Sequence, residues 1–547
     1  MKIVTLSEML AIERAADAAG HSYAAMIEEA GRSLAEILEA RFGEHAERRL
    51  LALVGKGNNG GDTLVALEHL ARNGWSGSFI TAGRPVDDLV LRARAAGWEG
   101  IEWPAEDLVE KIAGVDMILD GLLGTGIRLP LRSPAADLLR AIHDALVGPP
   151  RRAHPGSRQG GLARNLLIVA VDTPSGIDCD TGEAAPETIP AAVTITMAAA
   201  KTGFFKFPAA DLIGELSVAG IGLPPDLPEW EAVRLTALSR GLVREWLPER
   251  PRDAHKGTFG TAWIAAGSVR YPGAVLLASR AAFRIGAGLV STACPDPVYR
   301  LLAGHFPEST WLPLPDQDGA HTAAGAEMLL DGMDRADALL FGPGFGRAET
   351  TLAFVNRLLA DPARLPPLVV DADGLFLLTE LADWPARLPA NTVLTPHPGE
   401  MAGLTGMSVE AIQATRVQTA GKYAEEWGQI VVLKGAFTVV AAPDGRVSIV
   451  PVASPALARA GTGDVLAGMI TGFRAQGLPA YEAAAAGAYV HALAGERAGY
   501  ALGDSAGVLA SDIISEISFI LASIRPARRK AARSNGRLFR RKISPPA

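Results

Sequence analysis

The chain has 547 residues, 48% of them hydrophobic, so it is too long for one typical domain and predicts roughly two to four. Its formal net charge of −8 argues against a general nucleic-acid-binding protein. Two cysteines, Cys179 and Cys294, exclude a disulfide framework and a four-cysteine zinc site. No run approaches the ~18 uninterrupted apolar residues of a membrane span, and the charged N-terminal stretch lacks the apolar core of a signal peptide. We therefore expect a soluble cytoplasmic protein with no nucleic-acid or membrane partner.

The first part of the chain alternates between helix-like and strand-like stretches. Residues 6–19 and 22–41 are rich in Ala, Glu, Leu and Ile at helical spacing, which predicts two amphipathic helices. Further helices are predicted before Asn73 and near 87–97. Short apolar runs predict strands at 50–54, 78–82, 115–119, 166–171 and 192–196. This alternation predicts an α/β fold with a doubly wound parallel sheet, whose strand ends form one ligand-binding edge.

Polar, glycine-rich clusters follow three of the predicted strands. They are GKGNNGGD at 55–62, DGLLGTGIRLP at 120–130 and DTPSGID at 172–178. Taken singly, each cluster also fits a tight turn with helix capping. At neighbouring strand ends they form one crevice, and the N–H and amide groups of the first cluster suit a pyrophosphate and a ribose. Asn59, Asp120 and Ser175 offer hard oxygen ligands, which favour an alkali or alkaline-earth cation.

Three stretches lack the α/β pattern. Residues 149–161 are rich in Pro, Gly and Arg, which predicts a surface loop. Residues 222–253 are rich in Pro and charge, which predicts a linker between two domains. Residues 526–547 combine basic residues with Pro and Ser, which predicts a disordered basic tail. Contact of this tail with a membrane surface or RNA is the alternative.

A second α/β pattern begins at His255. Its predicted strands lie at 261–266, 289–293, 338–341, 368–370 and 430–433. Its predicted helices lie at 273–285, 408–426, 464–476, 480–499 and 504–524. Polar segments again accompany the strands: HKGTFG at 255–260, GPGFG at 342–346, DAD at 371–373, TPHPGE at 395–400 and KGAFT at 434–438. The second half therefore also predicts a polar sheet edge.

The stretch AGTGD at 460–464 runs into an apolar segment with helical period. Its glycines place backbone N–H groups at the positive end of a helix, which suits a phosphate. Asp464 would then sit beside the anion, where it can take a proton from a substrate hydroxyl. The alternative is an ordinary loop with Asp464 as the helix N-cap. Gly468 and Gly472 share one helix face, which predicts close approach of a neighbour.

The polar segments of the second half supply what phosphoryl transfer requires, namely positioned N–H groups, cations and a base. Asp371 and Asp373 can reach a magnesium-bound nucleotide indirectly, although loop capping is the alternative for this pair. His397 lies between two prolines that fix its loop, so we expect it to line a ligand pocket rather than act as a base. A structural histidine is the alternative.

The sequences GKGNNGGD, DGLLGTG and DTPSGIDCDTG resemble the NAD(P)H-hydrate epimerase family over about residues 1–218. The resemblance implies a Rossmann-like domain at 1–221 that inverts the hydrated C6 of a damaged nicotinamide ring, converting the R hydrate to the S hydrate. It implies proton handling by Asp172, with Lys201 either assisting or lying at the surface, and K⁺ held by Asn59, Asp120 and Ser175. The implied substrate contacts are Asn58, Asn59, Gly60, Gly61, Asp62, Gly124, Thr125, Gly126, Ile127, Arg128, Leu129, Pro130 and Asp172.

The segment 230–525 is similar to ADP-dependent NAD(P)H-hydrate dehydratases, because HKGxxG, GPGxG, TPHPGE, VVLKGA and GTGDVLAG occur in the family's order. The similarity implies a ribokinase-like domain at 254–525 that uses ADP with Mg²⁺. The implied reaction phosphorylates the ring hydroxyl of the S hydrate, with Asp464 as base, and loss of phosphate leaves NAD(P)H and AMP. The implied substrate contacts are Ala274, Gly344, His397 and Asp464, and the implied nucleotide contacts are Lys434, Gly435, Ala436, Phe437, Thr438 and Gly463. Arg459-Ala460 replaces the usual Thr-Gly and Phe376 the usual Asn, which leaves the nucleotide affinity open.

Together the two resemblances imply a bifunctional nicotinamide-nucleotide repair enzyme, in which the product of the first domain is the substrate of the second. One alternative is a ribokinase-like kinase for a pyrimidine or thiazole alcohol. The other makes the first half a non-catalytic binding domain, and the presence of Asn59, Asp62, Asp120 and Asp172 argues against it. The expected partners are small molecules only, the hydrates NADHX or NADPHX and ADP, and we expect a homo-oligomer.

Overall fold

Three segments of the chain, residues 1–44, 48–147 and 166–525, are described by the computed structural model. Contacts between residues divide the chain into two units, Met1–Ala237 and Leu238–Ala547. The predicted loop at 149–161 and the predicted basic tail at 526–547 lie outside the described residues.

The first unit combines short strands with flanking helices. Its strands are β1 (Ile3–Val4), β2 (Arg49–Val54), β3 (Ser76–Thr81), β4 (Glu99–Glu102), β5 (Met117–Gly121), β6 (Leu167–Val171), β7 (Val193–Met197), β8 (Ala200–Lys201), β9 (Glu215–Ala219) and β10 (Leu235–Ala237). Its helices are α1 (Leu6–Ala18), α2 (Tyr23–Phe42), α3 (Asn58–Arg72), α4 (Asp88–Ala95), α5 (Leu108–Ala113), α6 (Ala135–Val147), α7 (Ala209–Leu212) and α8 (Pro228–Glu231). The predicted helices at 6–19 and 22–41 are confirmed as α1 and α2, and the predicted strands as β2, β3, β5, β6 and β7.

The main sheet of the first unit has seven strands in the order β4-β3-β2-β5-β6-β7-β9, and every neighbouring pair is parallel. The predicted doubly wound parallel sheet is therefore confirmed. Along β2 the buried side chains alternate between two cores: Leu50, Ala52 and Val54 face one, and Leu51 and Leu53 face the other. The chain order reverses between β2 and β5, so the carboxyl ends of these strands open a crevice.

A separate pair of short strands ties the N-terminus to the chain after β7. Strands β1 and β8 pair in parallel, with Val4 opposite Lys201. The chain passes from β1 through the N-cap Thr5 directly into α1. The N–H of Leu6 donates to Asp180 Oδ1 at 2.8 Å. Helix α1 therefore starts beside the strand that carries Lys201.

The predicted linker at 222–253 is folded chain. It contains α8, β10 and the helix α9 (Arg240–Trp246), and the boundary between the units falls inside it, after Ala237. Leu227 belongs to the core of the first unit, whereas Val243 and Leu247 belong to the core of the second. A segment that buries apolar side chains on both sides of its midpoint has a defined structure, unlike a free linker.

The second unit also combines short strands with helices. Its strands are β11 (Thr261–Ala265), β12 (Leu289–Pro295), β13 (Thr310–Leu314), β14 (Asp316–Gln317), β15 (Ala320–His321), β16 (Ala338–Phe341), β17 (Leu368–Val370), β18 (Val393–Leu394), β19 (Ile430–Leu433), β20 (Val439–Ala441) and β21 (Val447–Ile449). After α9, its helices are α10 (Pro272–Ile285), α11 (Asp296–Leu302), α12 (Ala323–Gly332), α13 (Glu349–Leu358), α14 (Asp373–Thr379), α15 (Pro398–Thr405), α16 (Val409–Ala414), α17 (Arg416–Trp427), α18 (Thr462–Ala475), α19 (Ala480–Leu502) and α20 (Ala510–Ile524).

The main sheet of the second unit follows the order β21-β20-β19-β18-β17-β16-β11-β12-β13. Pairs from β19 to β13 are parallel, while β20 pairs antiparallel with both β19 and β21. The predicted strands are confirmed as β11, β12, β16, β17 and β19. The chain order reverses between β16 and β11, so this sheet also has a crevice at its strand ends.

Helices α10 and α18 approach each other closely. A Cβ added to Gly468 would lie 2.2 Å from the carbonyl oxygen of Ala278, and one added to Gly472 would lie 2.4 Å from Ile285 Cγ2. Neither position has room for a side chain, because real Cβ atoms essentially never come within 3.0 Å of such neighbours. The close approach predicted for these two glycines is confirmed.

Some helix bounds differ from the prediction. The predicted helix at 408–426 is two helices, α16 and α17, separated at Thr415, whose φ of −130° is not helical. The Thr415 hydroxyl donates to the Ala411 carbonyl at 2.8 Å, a bond that competes with regular helix geometry. Helix α18 begins at Thr462 rather than 464, and α20 begins at Ala510 rather than 504. In the described segments no helix is long and apolar enough to cross a membrane.

Candidate active sites

The first unit has a cleft of about 830 Å³ at the carboxyl ends of its strands. The segments that follow β2, β5 and β6, together with α1 and α2, form its walls. The cleft brings the three predicted polar clusters to one place. The predicted substrate residues at its surface are Asn58, Asn59, Asp62, Gly124, Thr125, Gly126, Ile127, Arg128 and Asp172. The other predicted contacts, Gly60, Gly61, Leu129 and Pro130, are not among the described residues that line it.

The first polar cluster is a tight turn that leads into α3 at Asn58. The turn is closed by backbone contact, since a Cβ on Gly60 would lie 2.1 Å from the carbonyl oxygen of Gly55. Arg84 Nη1 braces the turn by donating to the carbonyls of Gly55 and Gly57 at 3.0 and 3.2 Å. The amide end of α3 therefore lies at the cleft, where its first-turn N–H groups can receive a phosphate.

The predicted cation ligands lie together. Asp120 is buried, and its Oδ1 accepts the Ser175 hydroxyl at 2.6 Å while its Oδ2 accepts the Ser175 N–H at 2.8 Å. Burial raises the pKa of Asp120, and the hydrogen bonds from Ser175 oppose this rise. Asn59 Nδ2 donates to the carbonyl of Leu123, whose N–H donates to Ser175 Oγ. Asn59 Oδ1 is buried and has no hydrogen-bond partner among the described residues, and such an oxygen suits a hard cation.

Asp172 and Lys201 form a buried ion pair. Lys201 Nζ lies 2.6 Å from Asp172 Oδ1 and donates to Thr196 Oγ1 at 2.8 Å. The same Asp172 oxygen accepts the Thr196 hydroxyl at 3.0 Å and the Met197 N–H at 2.9 Å. Asp172 has a left-handed φ of 62°, a strained conformation of the kind found at functional sites. Lys201 is 1% exposed, so the surface-lysine alternative is wrong.

Two further carboxylates belong to this cleft. Burial raises the pKa of Asp62 well above its usual range, and the charges of Asp172 and Glu13 add to the rise. Burial followed by the charge of Asp172 also raises the pKa of Glu13. Glu13 was not predicted as a site residue from the sequence. A signal existed, because Glu13 lies one helical turn from the buried residues Met9 and Ala16 on α1.

The start of α18 has the predicted helix-terminal geometry. Gly461, with a left-handed φ of 87°, is the N-cap, and Asp464 is the third residue of the helix. The alternative in which Asp464 is the N-cap is therefore wrong. Burial raises the pKa of Asp464 to about 7, the charge of Asp371 adds to the rise and Lys434 opposes it. A carboxyl group with this pKa exchanges protons near neutral pH, as a general base requires.

Lys434 follows β19 and reaches into a group of acids. Its Nζ lies 2.6 Å from Asp371 Oδ1 and 3.6 Å from Glu400 Oε2. Burial lowers the pKa of Lys434, but the charges of Asp371 and Glu400 outweigh burial and leave it raised. The Thr395 hydroxyl donates to the same Asp371 oxygen at 2.7 Å. A Cβ on Gly463 would lie 3.5 Å from Lys434 Nζ, so the ammonium lies against the first turn of α18.

His397 is the N-cap of α15. The N–H groups of Gly399 and Glu400 donate to His397 Nδ1 at 3.0 and 3.1 Å. Because Nδ1 accepts, the neutral ring carries its proton on Nε2, which lies 3.4 Å from Glu400 Oε1. The side chain is 55% exposed. His397 therefore caps α15, as in the structural alternative, and its contact with a ligand stays a prediction.

The predicted substrate residues Ala274 and Gly344 lie against each other. Gly344 has a φ of 65°, and a Cβ there would lie 2.8 Å from Ala274 Cβ. In the same loop the N–H of Gly346 donates to Asp373 Oδ2 at 2.9 Å. Asp373 therefore caps this loop, which is the alternative role considered for it.

The predicted nucleotide segment 434–438 forms a turn after β19. Gly435 and Phe437 have left-handed φ values of 146° and 54°. Arg416 Nη2 braces the turn by donating to the carbonyls of Leu433 and Lys434 at 2.9 and 3.3 Å. The turn is therefore held by the side chain of Arg416, the first residue of α17.

The two departures from the family pattern have defined contacts. Phe376 lies under the guanidinium of Arg347, 3.9 Å from the ring centre, and Arg347 Nε also lies 3.3 Å from Asp373 Oδ1. Arg459 donates to the carbonyl of Ala506. Both substitutions are accommodated without touching the group formed by Asp371, Lys434 and Asp464.

Comparison with known proteins matches each unit to a family. Residues 23–203 match the profile of the YjeF-related protein N-terminus, and residues 262–518 match the profile of NAD(P)H-hydrate dehydratase. A bifunctional NAD(P)H-hydrate repair enzyme from Moorella thermoacetica is 35% identical over 538 residues, covering 96% of this chain and 97% of that protein. One from Salinibacter ruber is 37% identical over 523 residues, covering 91% and 92%.

A crystal structure of an ADP/ATP-dependent NAD(P)H-hydrate dehydratase from Bacillus subtilis, co-crystallised with ATP and Mg²⁺, is 30% identical to this chain. It covers 54% of this chain and 100% of its own, with a TM-score of 0.46. The two profiles match successive parts of the chain, one in each α/β unit, so the protein is a two-domain α/β enzyme. From the identities over nearly the full length, the chain belongs to the family of bifunctional NAD(P)H-hydrate repair enzymes.

Proposed function

We propose that this chain epimerises R- and S-NAD(P)H hydrate in its first unit and dehydrates the S form in its second. ADP is the phosphoryl donor, and the products are NAD(P)H, AMP and phosphate. The observation that carries the proposal is Asp464, a carboxyl group with a pKa of about 7 on the first turn of α18, close to Lys434. The substrates are intracellular nucleotides, so we place the enzyme in the cytoplasm. Homo-oligomeric assembly stays a prediction.

In the second unit, ionised Asp464 takes the proton of the C6 hydroxyl group of the hydrate. The oxygen of that hydroxyl group attacks the terminal phosphorus of ADP at the same time. The phosphoryl group moves to that oxygen and AMP departs. The phosphate then leaves C6 with the bonding electrons, and the neighbouring carbon loses a proton, which restores the ring double bond. The N–H groups at the start of α18 and the ammonium of Lys434 stabilise the negative charge on the phosphoryl oxygens.

We assign the nucleotide to residues 434–438 and Gly463, and the hydrate to Ala274, Gly344 and His397. The carboxylates present also fit Mg²⁺, which binds phosphates with the help of one or two carboxylates. Asp371 Oδ1 accepts hydrogen bonds from Thr395 and Lys434. Its Oδ2 lies near the first turn of α18, 3.7 Å from where a Cβ on Gly463 would be. Asp371 Oδ2 would hold the ion through a water, and bound Mg²⁺ would neutralise phosphate charge.

In the first unit, we assign proton handling to Asp172, which Lys201 orients. The NNGGD turn and the segment 124–130 would hold the dinucleotide. Asn59, Asp120 and Ser175 would hold K⁺, and the buried Asn59 Oδ1 without a donor supports this assignment. Bound K⁺ would supply a fixed positive charge beside the diphosphate.

The proposal is tested with purified protein and a mixture of the two hydrates. With ADP and Mg²⁺, the absorbance of NAD(P)H should return for both epimers. Asp464→Asn should stop all recovery, and its full retention would refute the base assignment. Asp172→Ala should leave the R epimer unconverted, apart from slow spontaneous epimerisation. Parallel reactions with ADP and ATP identify the donor. A pyrimidine- or thiazole-alcohol kinase with a non-catalytic first unit would instead restore no absorbance.

A further inference from the structure

Helix α1 places the carboxyl group of Glu13 in the cleft of the first unit. Glu13 does not belong to any of the three polar clusters that follow the strands. Glu13 and Leu10, both on α1, line the cleft. The pairing of β1 with β8 sets the start of this helix beside Lys201, and the buried Met9 fixes it against the core. The match to the family profile begins at residue 23, so α1 lies before it.

Glu13 and Asp172 have different surroundings. Asp172 Oδ1 accepts hydrogen bonds from Lys201, Thr196 and Met197, which orient its carboxylate to receive a proton. Glu13 is half-buried, and the side chains described in the structure give its carboxyl no hydrogen bond. Burial and the charge of Asp172 raise the pKa of Glu13, so it holds a proton more readily than an exposed glutamate. A carboxyl group that retains its proton can act as the acid while a neighbouring oriented carboxylate acts as the base.

We propose that Glu13 is a second catalytic residue of the epimerisation, acting as the acid when Asp172 acts as the base. The proposal rests on the proposed epimerase activity. Inversion at C6 through an intermediate with a C=N bond requires a hydroxyl to leave one face of the ring and another to arrive at the opposite face. One group must therefore supply a proton and another must remove one.

Protonated Glu13 gives its proton to the C6 hydroxyl, the C–O bond breaks with its electron pair, and water departs while the lone pair of the ring nitrogen forms a C=N bond. A water molecule then adds to the opposite face of C6, and the C=N electrons return to nitrogen. Asp172 takes the surplus proton, and exchange with solvent resets both carboxyl groups. The hydrate keeps its composition and changes only its configuration.

The test replaces Glu13 in the full-length protein and measures conversion of the R to the S hydrate by chromatography, at times short compared with spontaneous epimerisation. For Glu13→Gln we expect kcat to fall by about 100-fold or more, with KM within about threefold of wild type. Glu13→Asp keeps the carboxyl group but moves it away from the substrate, so its kcat should lie between those of wild type and Glu13→Gln. Asp17→Asn, an exposed change one turn further along α1, is the matched control and should behave as wild type.

Thermal unfolding of the first unit establishes that each variant is folded. A folded Glu13→Gln protein with wild-type kcat overturns the proposal, and so does a rise in KM alone, which would make Glu13 a binding residue. If the Glu13→Gln protein does not fold, Glu13→Asp provides the test, and a wild-type kcat in that variant also overturns the proposal. In water labelled with heavy oxygen, each S product should gain one solvent oxygen, and retention of the original oxygen refutes the step. Wild-type protein without any epimerisation would instead refute the proposed function.

Discussion

Replacement of Gly468 by alanine tests whether the contact between α10 and α18 holds Asp464 in place. The added Cβ would lie 2.2 Å from the carbonyl oxygen of Ala278, so the helices must separate by about 1 Å. Overpacking of this kind costs ~1–3 kcal/mol, and the better helix propensity of alanine returns about 1 kcal/mol. We expect the second unit to lose up to ~2 kcal/mol of stability. Because Asp464 lies one turn earlier on the same helix, dehydratase kcat should fall about 10- to 100-fold.

Denaturant unfolding measures the stability, and turnover of the pure S hydrate with ADP measures kcat, while epimerisation by the first unit serves as internal reference. Gly403→Ala is the matched control, because Gly403 lies inside α15 and its Cβ would have no neighbour within 4 Å. This control should gain ~0.5–1 kcal/mol and keep its activity. If Gly468→Ala is as stable and as active as Gly403→Ala, the reasoning from close packing is refuted.

Three further changes probe the two sites. Because the pKa of Asp464 is raised to about 7, its favourable contribution to stability is complete below the usual carboxyl pKa and is lost as pH rises through about 7. Dehydratase turnover should show the opposite trend and fall as pH drops through about 7, while Asp464→Asn should abolish it and raise the unfolding temperature at pH above 7. Lys201→Met should leave Asp172 without its buried partner, destabilise the first unit by ~3–5 kcal/mol in denaturant unfolding and abolish epimerisation. Asn59→Ala should slow epimerisation and remove its response to exchange of K⁺ for a large organic cation, as measured from the ratio of epimers.

Each of these expectations has an outcome that contradicts it. A pH profile that stays flat around neutrality would exclude Asp464 as the base. For the ion pair, the exposed Lys206 provides a control, since Lys206→Met should change stability by less than about 0.5 kcal/mol. Equal effects of the Lys201 and Lys206 replacements would show that the buried pair contributes nothing. A wild-type response to K⁺ in Asn59→Ala would place the cation elsewhere.

Some parts of this fold are encoded locally and were therefore predictable. Strands β2 and β19 are buried almost throughout, so apart from the exposed Arg49 at the start of β2 their residues are apolar. Strand β4 was not predicted because its exposed ends, Glu99 and Glu102, give it no apolar pattern. The start of α18 was predictable because its glycines, its carboxylate and the apolar helical period lie within one short stretch.

The partners of the candidate catalytic groups were not predictable, because they come from distant parts of the chain. Lys434 pairs with Asp371, 63 positions away, and Lys201 pairs with Asp172, 29 positions away. Glu13 reaches the cleft through the pairing of β1 with β8 and the packing of Met9 into the core, and the two residues on each side of that pairing give no recognisable pattern. Propensity and periodicity describe neighbours along the chain, whereas these contacts depend on the finished topology.

Strand β2 should tolerate exchanges of side chain far better than changes of length. Both of its faces are apolar, so an exchange of one aliphatic residue for another of similar volume disturbs a single core and costs less than about 1.5 kcal/mol. A one-residue insertion would interchange the two sets of side chains. It would also displace Gly55 from the Leu122 carbonyl, against which a Cβ on Gly55 would lie at 1.7 Å. The residues of this strand can therefore be exchanged for other aliphatic residues. Its length cannot change, because the number of residues sets both which core each side chain enters and where Gly55 lies at the cleft.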